Sequence, residues 1–250
     1  MTDLLLLALV GGTFLLAGTV KGVIGLGLPT LSLSLLSIAT DLTQAMALLV
    51  VPSLATNLWQ AMVGRHGTAI LRRLWPFLTM AGLTVWLGAL ALPRVDLAWL
   101  TGLLGVLLIA YGGISLMGLR LSIPEARQSW AGPLTGAVNG VLTGMTGSFV
   151  VPGVMYLQAI GLARDALIQA MGMLFTISTL ALALALVGHG LMTTELSALS
   201  AAALIPAVAG MAFGQWVRRR LAEATFRRVF FLSLAALGLY ILAGALGRFF

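Results

Sequence analysis

The sequence has no cysteine and few charged residues. Without cysteine, disulfide bonds, thiolate metal ligands and cysteine nucleophiles are excluded. Only 8% of the 250 residues are charged, whereas 60% are hydrophobic. Soluble domains do not have this balance, so the composition predicts an all-α polytopic membrane protein whose helices face lipid.

Residues suited to catalysis or metal binding are also missing from the apolar segments. All acidic residues lie in loops or at the ends of hydrophobic segments, and the two histidines, His66 and His189, lie in separate loops. There is no H-x-x-x-H motif, no pair of carboxylates and no nucleophile beside a base. The sequence therefore predicts neither an enzyme nor a bound metal or cofactor. The lack of a mid-membrane carboxylate also argues against the commonest proton relay.

The chain carries a formal net charge of +7. In a soluble protein this charge would suggest a nucleic-acid partner, but here the arginines lie in short loops between hydrophobic segments. In such loops they set the orientation of the chain in the membrane and contact lipid headgroups. We therefore expect membrane lipids, and no nucleic acid, as partners; a homodimer is left open.

Residues 18–34, GTVKGVIGLGLPTLSLS, combine four glycines, a proline and Lys21, which is the only lysine of the chain. They lie in an apolar run from about Leu4 to Ala39, which as a continuous helix would extend about 54 Å across a hydrocarbon core of about 30 Å. The run must tilt, break or double back. A broken helix that holds a cation at membrane depth predicts a polar-solute site, which we favour over a kinked span with Lys21 reaching the interface.

Further hydrophobic segments follow on both sides of a polar stretch, residues 120–128, RLSIPEARQ. The predicted spans are about 42–63, 74–92 and 97–117 before it, and from about 166, 196–217 and 226–246 after it. The predicted organisation is a first transmembrane repeat at 1–118, a cytoplasmic linker at 119–128 and a second transmembrane repeat at 129–250.

The two halves resemble each other in sequence. NGVLTGMTGSFVVP at 139–152 corresponds to KGVIGLGLP at 21–29, which aligns Asn139 with Lys21. Three more matches follow in the same order: Gln44-Ala45-Met46 with Gln169-Ala170-Met171, Pro76 with Pro206, and Tyr111 with Tyr240. Four matches in one order predict a duplication, with about eight hydrophobic segments in all.

The distribution of arginine predicts the topology. If both glycine-rich segments crossed the membrane, the arginines would divide six to seven between the two sides. If both segments re-enter instead, with arms of about 15 residues, each half has three full spans and the halves are inverted. Eleven arginines then share the cytoplasmic side and only Arg94 and Arg248 lie opposite, as the positive-inside rule expects. We therefore predict two inverted repeats, each with a glycine-rich re-entrant segment plus three transmembrane helices, and both termini outside.

The polar residues of the glycine-rich segments suit an anion. Lys21 supplies positive charge, hydroxyl and amide groups of the second segment donate hydrogen bonds, and the glycines expose backbone N–H groups at helix ends. Gln44, Asn57 and Gln169 either line the same cavity or form interhelical hydrogen bonds. The candidate substrate-binding residues, expected near mid-membrane between the two segments, are Lys21, Gly22, Gly25, Gly27, Gln44, Asn57, Asn139, Thr143, Thr146, Gly147, Ser148 and Gln169.

A glycine-rich segment followed by proline and a polar-faced helix, occurring twice in about 250 residues, resembles the sulfite exporter TauE/SafE family. The resemblance covers essentially the whole chain. It implies a bacterial inner-membrane transporter for sulfite, sulfoacetate or other small sulfur-containing or organic anions. Family members share G-x-G-G-G-x(4)-P patterns. This chain departs from them, with leucines at 26 and 28 in its first copy and polar residues at 146 and 148 in its second.

Three functions remain open at this point. The first is a secondary transporter that moves a small anion, by export, with alternating access around the mid-membrane site. The second is a passive anion channel, which would have a continuous polar lining. The third is a membrane subunit without transport activity, in which Lys21 and Asn139 could become apolar without consequence.

Overall fold

The computed structural model describes residues 3–118, 122–218, 220 and 223–247, and the regular structure within these ranges is helical. Arg120, Arg219 and Arg248, which entered the predicted topology, lie outside the described residues. The helices are α1 (Asp3–Ile24), α2 (Leu28–Ala39), α3 (Leu42–Met62), α4 (Gly67–Leu83), α5 (Val85–Ala89), α6 (Leu97–Leu116), α7 (Glu125–Thr146), α8 (Gly153–Ala159), α9 (Arg164–Gly188), α10 (Thr194–Arg218) and α11 (Glu223–Leu246).

Six of the described helices are long and apolar enough to cross a bilayer: α1, α3, α6, α9, α10 and α11. Both glycine-rich segments are broken helices, as expected, but their arms are unequal. The first segment has arms of 22 and 12 residues, and the second has arms of 22 and 7. The arms of about 15 residues expected from the sequence are therefore not observed. Re-entry of these segments stays a prediction.

The contacts divide the chain into two compact units, and each unit draws on both halves of the sequence. Unit 1 comprises Met1–Pro52, Asp96–Gly118 and Leu191–Phe250. Within it, α1 packs mainly on α10, and α6 packs on α11. Small residues, including Gly18, Gly22, Gly210 and Gly214, let α1 and α10 approach backbone to backbone.

Unit 2 comprises Ser53–Val95 and Leu119–Gly190. Here α7 packs on α4 and α5, and α9 contacts α4, α5, α7 and α8. Glycines at 136, 140 and 144 of α7 again allow close backbone contact. Thr84, where α4 gives way to α5, donates to the carbonyl oxygen of Ala137 at 2.8 Å and so ties this junction to α7. The predicted division at 119–128 stays a prediction, and the first turn of α7 begins within it at Glu125.

The two glycine-based helix pairs have the same register. A Cβ atom added at either of two α1 glycines would overlap a carbonyl oxygen of α10, and the aligned α7 glycines meet α4 in the same way. The glycines are 118 residues apart between the pairs, and their partners are 130 apart. The corresponding contacts are Gly18 with Ala207 and Gly136 with Phe77, then Gly22 with Met211 and Gly140 with Ala81.

Helix α3 runs through Pro52, the last residue of unit 1. Proline has no N–H, so it cannot make the helical hydrogen bond to the carbonyl oxygen of Leu48. In unit 1 the Ser200 hydroxyl of α10 donates to that oxygen at 2.8 Å and accepts from the Val51 N–H at 3.1 Å. A neighbouring helix thus compensates for the proline, and α3 remains continuous.

Candidate functional site

The first helix break occurs in unit 1, between α1 and α2. Gly25 and Gly27 have positive φ angles of 87° and 109°, which glycine adopts without the steric cost of a Cβ atom. Gly27 also lies against Val20 and the ring of Phe230, so a Cβ atom at this position would be crowded at 3.0 Å and 3.1 Å from them. The sequence breaks the helix here because two residues in this short stretch must adopt left-handed backbone conformations.

Lys21 lies in the last turn of α1, directly before this break, and is 4% exposed. The following residue, Gly22, contacts the backbone of α10. Burial of a lysine in an apolar helix is costly, so such residues are usually kept for a functional reason. On α2, the hydroxyls of Ser32 and Ser34 donate to carbonyl oxygens of their own helix, at 2.7 and 2.6 Å. Lys21 is therefore the main polar feature of this break.

The second break occurs in unit 2, where α7 ends at Thr146 and α8 begins at Gly153. Gly147 ends α7 with a φ of 72°, and its N–H donates to the Thr143 carbonyl oxygen at 2.7 Å. The Thr143 hydroxyl donates to the Ser148 carbonyl oxygen at 2.9 Å, which holds the first residues of the non-helical segment. The polar side chains at this break, Thr146 and Ser148, are buried inside the protein.

The short helix α8 is fixed at both ends by side chains of unit 2. Asn139 Oδ1 accepts from the Gly153 N–H at 2.9 Å, and this satisfies the first N–H of α8. At the other end, the Arg73 guanidinium donates to the Ile160 carbonyl oxygen at 3.2 Å and to Gln128 Oε1 at 2.8 Å. The position of α8 therefore depends on α4 and α7.

Two hydrogen-bond donors at the second break have no partner among the residues that the structure describes. Asn139 Nδ2 and the Ser148 hydroxyl are buried, and neither makes a hydrogen bond to the part of the chain that the structure describes. Buried polar groups in proteins are normally paired, because an unpaired one keeps its full desolvation cost. Both donors are therefore available to a bound solute, and their chemistry suits an anion.

The remaining candidates, Gln44, Gln169 and Asn57, lie in three different environments. Gln44 is exposed in the first turn of α3, where its side-chain amide donates to Asp41 at 2.7 Å. Gln169 donates to the Ala61 carbonyl oxygen at 2.9 Å and accepts from the His66 N–H at 3.1 Å, so it links α9 to the end of α3. Asn57 is fully buried on α3.

The twelve candidate residues are divided between the two units. Unit 1 holds Lys21, Gly22, Gly25, Gly27 and Gln44, and unit 2 holds Asn57, Asn139, Thr143, Thr146, Gly147, Ser148 and Gln169. Within unit 1 the first four lie together at one helix break. Within unit 2 the five residues from Asn139 to Ser148 lie together at the other. A role in substrate binding stays a prediction for all twelve.

Three further buried hydroxyls were not among the sequence candidates. Ser53, Tyr111 and Ser178 have side-chain oxygens without a hydrogen-bond partner among the described residues. Tyr111 packs edge-on against Phe231 at a centroid distance of 5.3 Å in unit 1. The sequence repeat could have identified the two serines as equivalent positions, because Ser53 and Ser178 are 125 residues apart, as are Gln44 and Gln169.

Within the described ranges, no group of three or more His, Asp or Glu residues comes together as a metal site would require. The candidate features are instead a buried cation beside one helix break and unpartnered hydrogen-bond donors at the other. Such groups can bind and release an anion without making or breaking a covalent bond.

Comparison with known proteins agrees with this chemistry. The family model described as Sulfite exporter TauE/SafE matches residues 10–241. No protein of curated function and no solved structure matches the sequence significantly. The expected family resemblance is confirmed over most of the chain. With six described helices of membrane-spanning length, this multi-pass membrane protein belongs to the sulfite exporter TauE/SafE family, whose members are transporters and not enzymes.

Proposed function

We propose that the chain is a secondary transporter that exports a small anion across the bacterial inner membrane by alternating access. The expected substrates are sulfite, an organosulfonate or a related organic anion. Family membership supports an anion exporter in general. The composition of the two helix breaks supports the more specific assignment, because their polar groups are donors and a cation.

The observation that carries the proposal is the pair of unpartnered donors at the second break. Asn139 Nδ2 and the Ser148 hydroxyl are buried. The Gly153 N–H donates to Asn139 Oδ1 and so fixes the amide, and the Thr143 hydroxyl donates to the Ser148 carbonyl oxygen. Donors that are held in place before the ligand arrives need little reorganisation on binding. A bound anion would satisfy both donors and offset the cost of burying them.

Lys21 supplies the charge in this proposal. It is nearly inaccessible on α1, so its ammonium group can neutralise an anion away from bulk solvent. The glycines of both breaks, Gly22, Gly25, Gly27 and Gly147, shape the backbone. The sequence prediction that both breaks contribute to one site stays part of the proposal.

An inverted repeat is also part of the proposal. It is supported by the equal register of the two glycine-based helix pairs, in which α1 meets α10 as α7 meets α4. Transporters built from such repeats commonly bind their substrates at discontinuous helices near the middle of the membrane. The two breaks are the discontinuous helices of this chain.

The membrane potential is the simplest driving force for export. A net negative charge that moves outward gains about 2.3 kcal/mol per 100 mV, which is roughly a fiftyfold change in the equilibrium ratio. The described acidic residues that flank the helices, such as Asp41, Asp96 and Asp165, lie at or near helix ends. We therefore propose charge-driven export without a buried carboxylate as proton carrier.

The test is flux of sulfite, a small sulfonate and a carboxylate in proteoliposomes that contain the purified chain. A transporter should show saturable uptake that is accelerated by the same anion on the opposite side. Flux without such counter-exchange would indicate a passive anion channel instead. No flux of any of the three anions would reject both functions.

Asn139→Asp provides a matched variant for this assay. The aspartate keeps an oxygen that can accept from the Gly153 N–H, but it replaces the Nδ2 donor with an acceptor that repels an anion when ionised. We expect flux to fall at least tenfold while the variant retains its elution profile. Wild-type flux in this variant would reject the role of Asn139.

A further inference from the structure

Two buried serines of unit 2 keep their hydroxyls unpaired although they lie within helices. Ser53 on α3 and Ser178 on α9 are each 0% exposed, and neither Oγ has a partner among the described residues. A serine or threonine in a helix can readily donate to the carbonyl oxygen four residues earlier. Thr179, next to Ser178, does this with Phe175 at 2.6 Å. Ser53 and Ser178 therefore differ from the ordinary helical hydroxyls of this chain.

Within unit 2, the end of α3 contacts the first turns of α9. Gln169 accepts from the His66 N–H, beyond the end of α3, at 3.1 Å, whereas a Cβ atom added at Gly172, one turn further along α9, would lie 2.6 Å from the Ala61 nitrogen. Residue numbers thus fall along α3 as they rise along α9. Continued for two turns, this register brings Ser53 and Ser178 to the same level within about two residues.

The two serines are also equivalent positions of the sequence repeat. Gln44 and Gln169 are 125 residues apart, and the same interval separates Ser53 from Ser178. In two antiparallel helices related by a two-fold axis, equivalent residues lie level with each other only near that axis. The extended register places Ser53 and Ser178 within about two residues of this condition, so each copy of the repeat carries, at nearly the same level, a hydroxyl without a partner among the described residues.

Ser178 lies on the face of α9 that contacts the second helix break. It follows Leu174 by one turn, and Leu174 lies against Gly153, at 2.9 Å from an added Cβ atom. Phe175, on the same face, packs on Phe149 at a ring-centroid distance of 6.1 Å. The neighbouring residue of Phe149 is Ser148, another unpaired donor. Ser178 therefore lies one helical turn from a residue that packs on this break, where Asn139 Nδ2 and the Ser148 hydroxyl also have no partner among the described residues.

We propose that Ser53 and Ser178 form a paired binding position for a small oxyanion, in which each hydroxyl donates a hydrogen bond to a substrate oxygen. This assignment rests on the proposed transport function and adds two substrate-binding residues to it. Two donors on two facing helices suit an anion with several oxygens, such as sulfite or a sulfonate. A bound oxyanion would pair both hydroxyls at once.

The experiment measures sulfite binding to the purified full-length chain by its effect on thermal unfolding, together with flux in proteoliposomes. The test variants are Ser53→Ala and Ser178→Ala. The controls are Thr179→Val and Ser32→Ala, whose hydroxyls bond to their own helices. We expect each test variant to weaken sulfite binding about tenfold, a loss of about 1.4 kcal/mol, and both controls to bind like the wild type.

Stability without sulfite gives a second readout. Because the test variants remove unpaired buried hydroxyls, they should unfold at the wild-type temperature or above it. A lower unfolding temperature or aggregation of either alanine variant would show a structural role and overturn the assignment. Wild-type sulfite affinity in both variants would overturn it as well, while leaving the proposed transport function intact.

The wild type separates the two levels of the proposal. If the wild type neither binds nor moves sulfite, sulfonate or carboxylate, the proposed function fails and the serine assignment fails with it. Replacement of sodium by choline in the buffer tests whether the hydroxyls hold a cation instead. If the serine variants lose a response to sodium and keep their affinity for sulfite, the anion assignment is overturned.

Discussion

Ser200→Ala should destabilise unit 1 because this serine compensates for a proline in another helix. Pro52 leaves the Leu48 carbonyl oxygen without its helical donor, and the Ser200 hydroxyl donates to that oxygen at 2.8 Å. The same hydroxyl accepts from the Val51 N–H at 3.1 Å. Ser200 and Leu48 are both buried, so no bulk solvent replaces the lost partner.

The expected cost is about 1–3 kcal/mol, the penalty for leaving a buried acceptor unsatisfied. Pro52→Ala should relieve it, because alanine supplies the N–H that can bond to Leu48 within α3. The double variant should therefore be more stable than the sum of the two single changes predicts. We expect a coupling energy of about 1–2 kcal/mol, within the range for residues that share one hydrogen-bond network.

The wild type, the two single variants and the double variant are compared by thermal unfolding in detergent, with the amount of folded protein that elutes from a sizing column as the readout. Ser32→Ala is the matched control, because the Ser32 hydroxyl donates to carbonyl oxygens of its own helix and replaces no missing bond. Equal unfolding temperatures for Ser200→Ala and the wild type would refute the reasoning. Additive effects of the Ser200 and Pro52 changes would refute the specific pairing.

The remaining predictions concern helix packing, charge and topology. Gly18→Ala should lower the unfolding temperature, because the added Cβ atom would overlap an α10 carbonyl oxygen at a cost of about 1–3 kcal/mol. The control Gly12→Ala places its Cβ atom in open space and should be neutral or stabilising, so equal effects of the two variants would contradict this view. Lys21→Met should abolish anion flux in vesicles with an imposed potential, and the variant should still fold because it removes the desolvation cost of a buried ammonium. Lys21→Arg should transport poorly, and normal flux in the methionine variant would exclude Lys21 from the site. Labelling of single cysteines should place the arginine-rich segments at 65–73 and 218–228 on the cytoplasmic side, and external labelling of either segment would refute the inverted topology.

Helix positions could be predicted well where apolar and polar sequence alternate sharply. The segments expected at 42–63 and 97–117 correspond to helices Leu42–Met62 and Leu97–Leu116. The segment expected to start at Leu74 begins seven residues earlier, at Gly67. In this added part of the helix, Arg73 donates to Gln128 of α7 and to Ile160 directly after α8, and hydropathy carries no information on such contacts.

The candidate site could be predicted only in part. Glycine and proline content located both helix breaks, because the backbone conformations at Gly27 and Gly147 require glycine. Hydrogen-bond partners could not be predicted, since they depend on which helices meet in three dimensions. Gln169 is bonded to α3 and to the loop after it, whereas Ser178 has no partner within the described ranges, and their residue types alone do not predict this difference.

Positions 21 and 139 hold different residues because the helices that follow the two breaks, α2 and α8, begin differently. At the second break, Asn139 Oδ1 accepts from the Gly153 N–H, a task that a lysine cannot perform because it has no acceptor. At the first break, the N-cap of α2 is Gly27, which has no side chain to accept from the helix, and Pro29 in the first turn has no N–H. This helix begins without an acceptor such as Asn139 at its cap, and position 21 holds a cation. In the proposed transporter this arrangement gives the pathway one buried positive charge from Lys21 and neutral donors from the other repeat. One charge can balance the substrate without holding it permanently, because a transported ion must bind strongly enough to enter and weakly enough to leave.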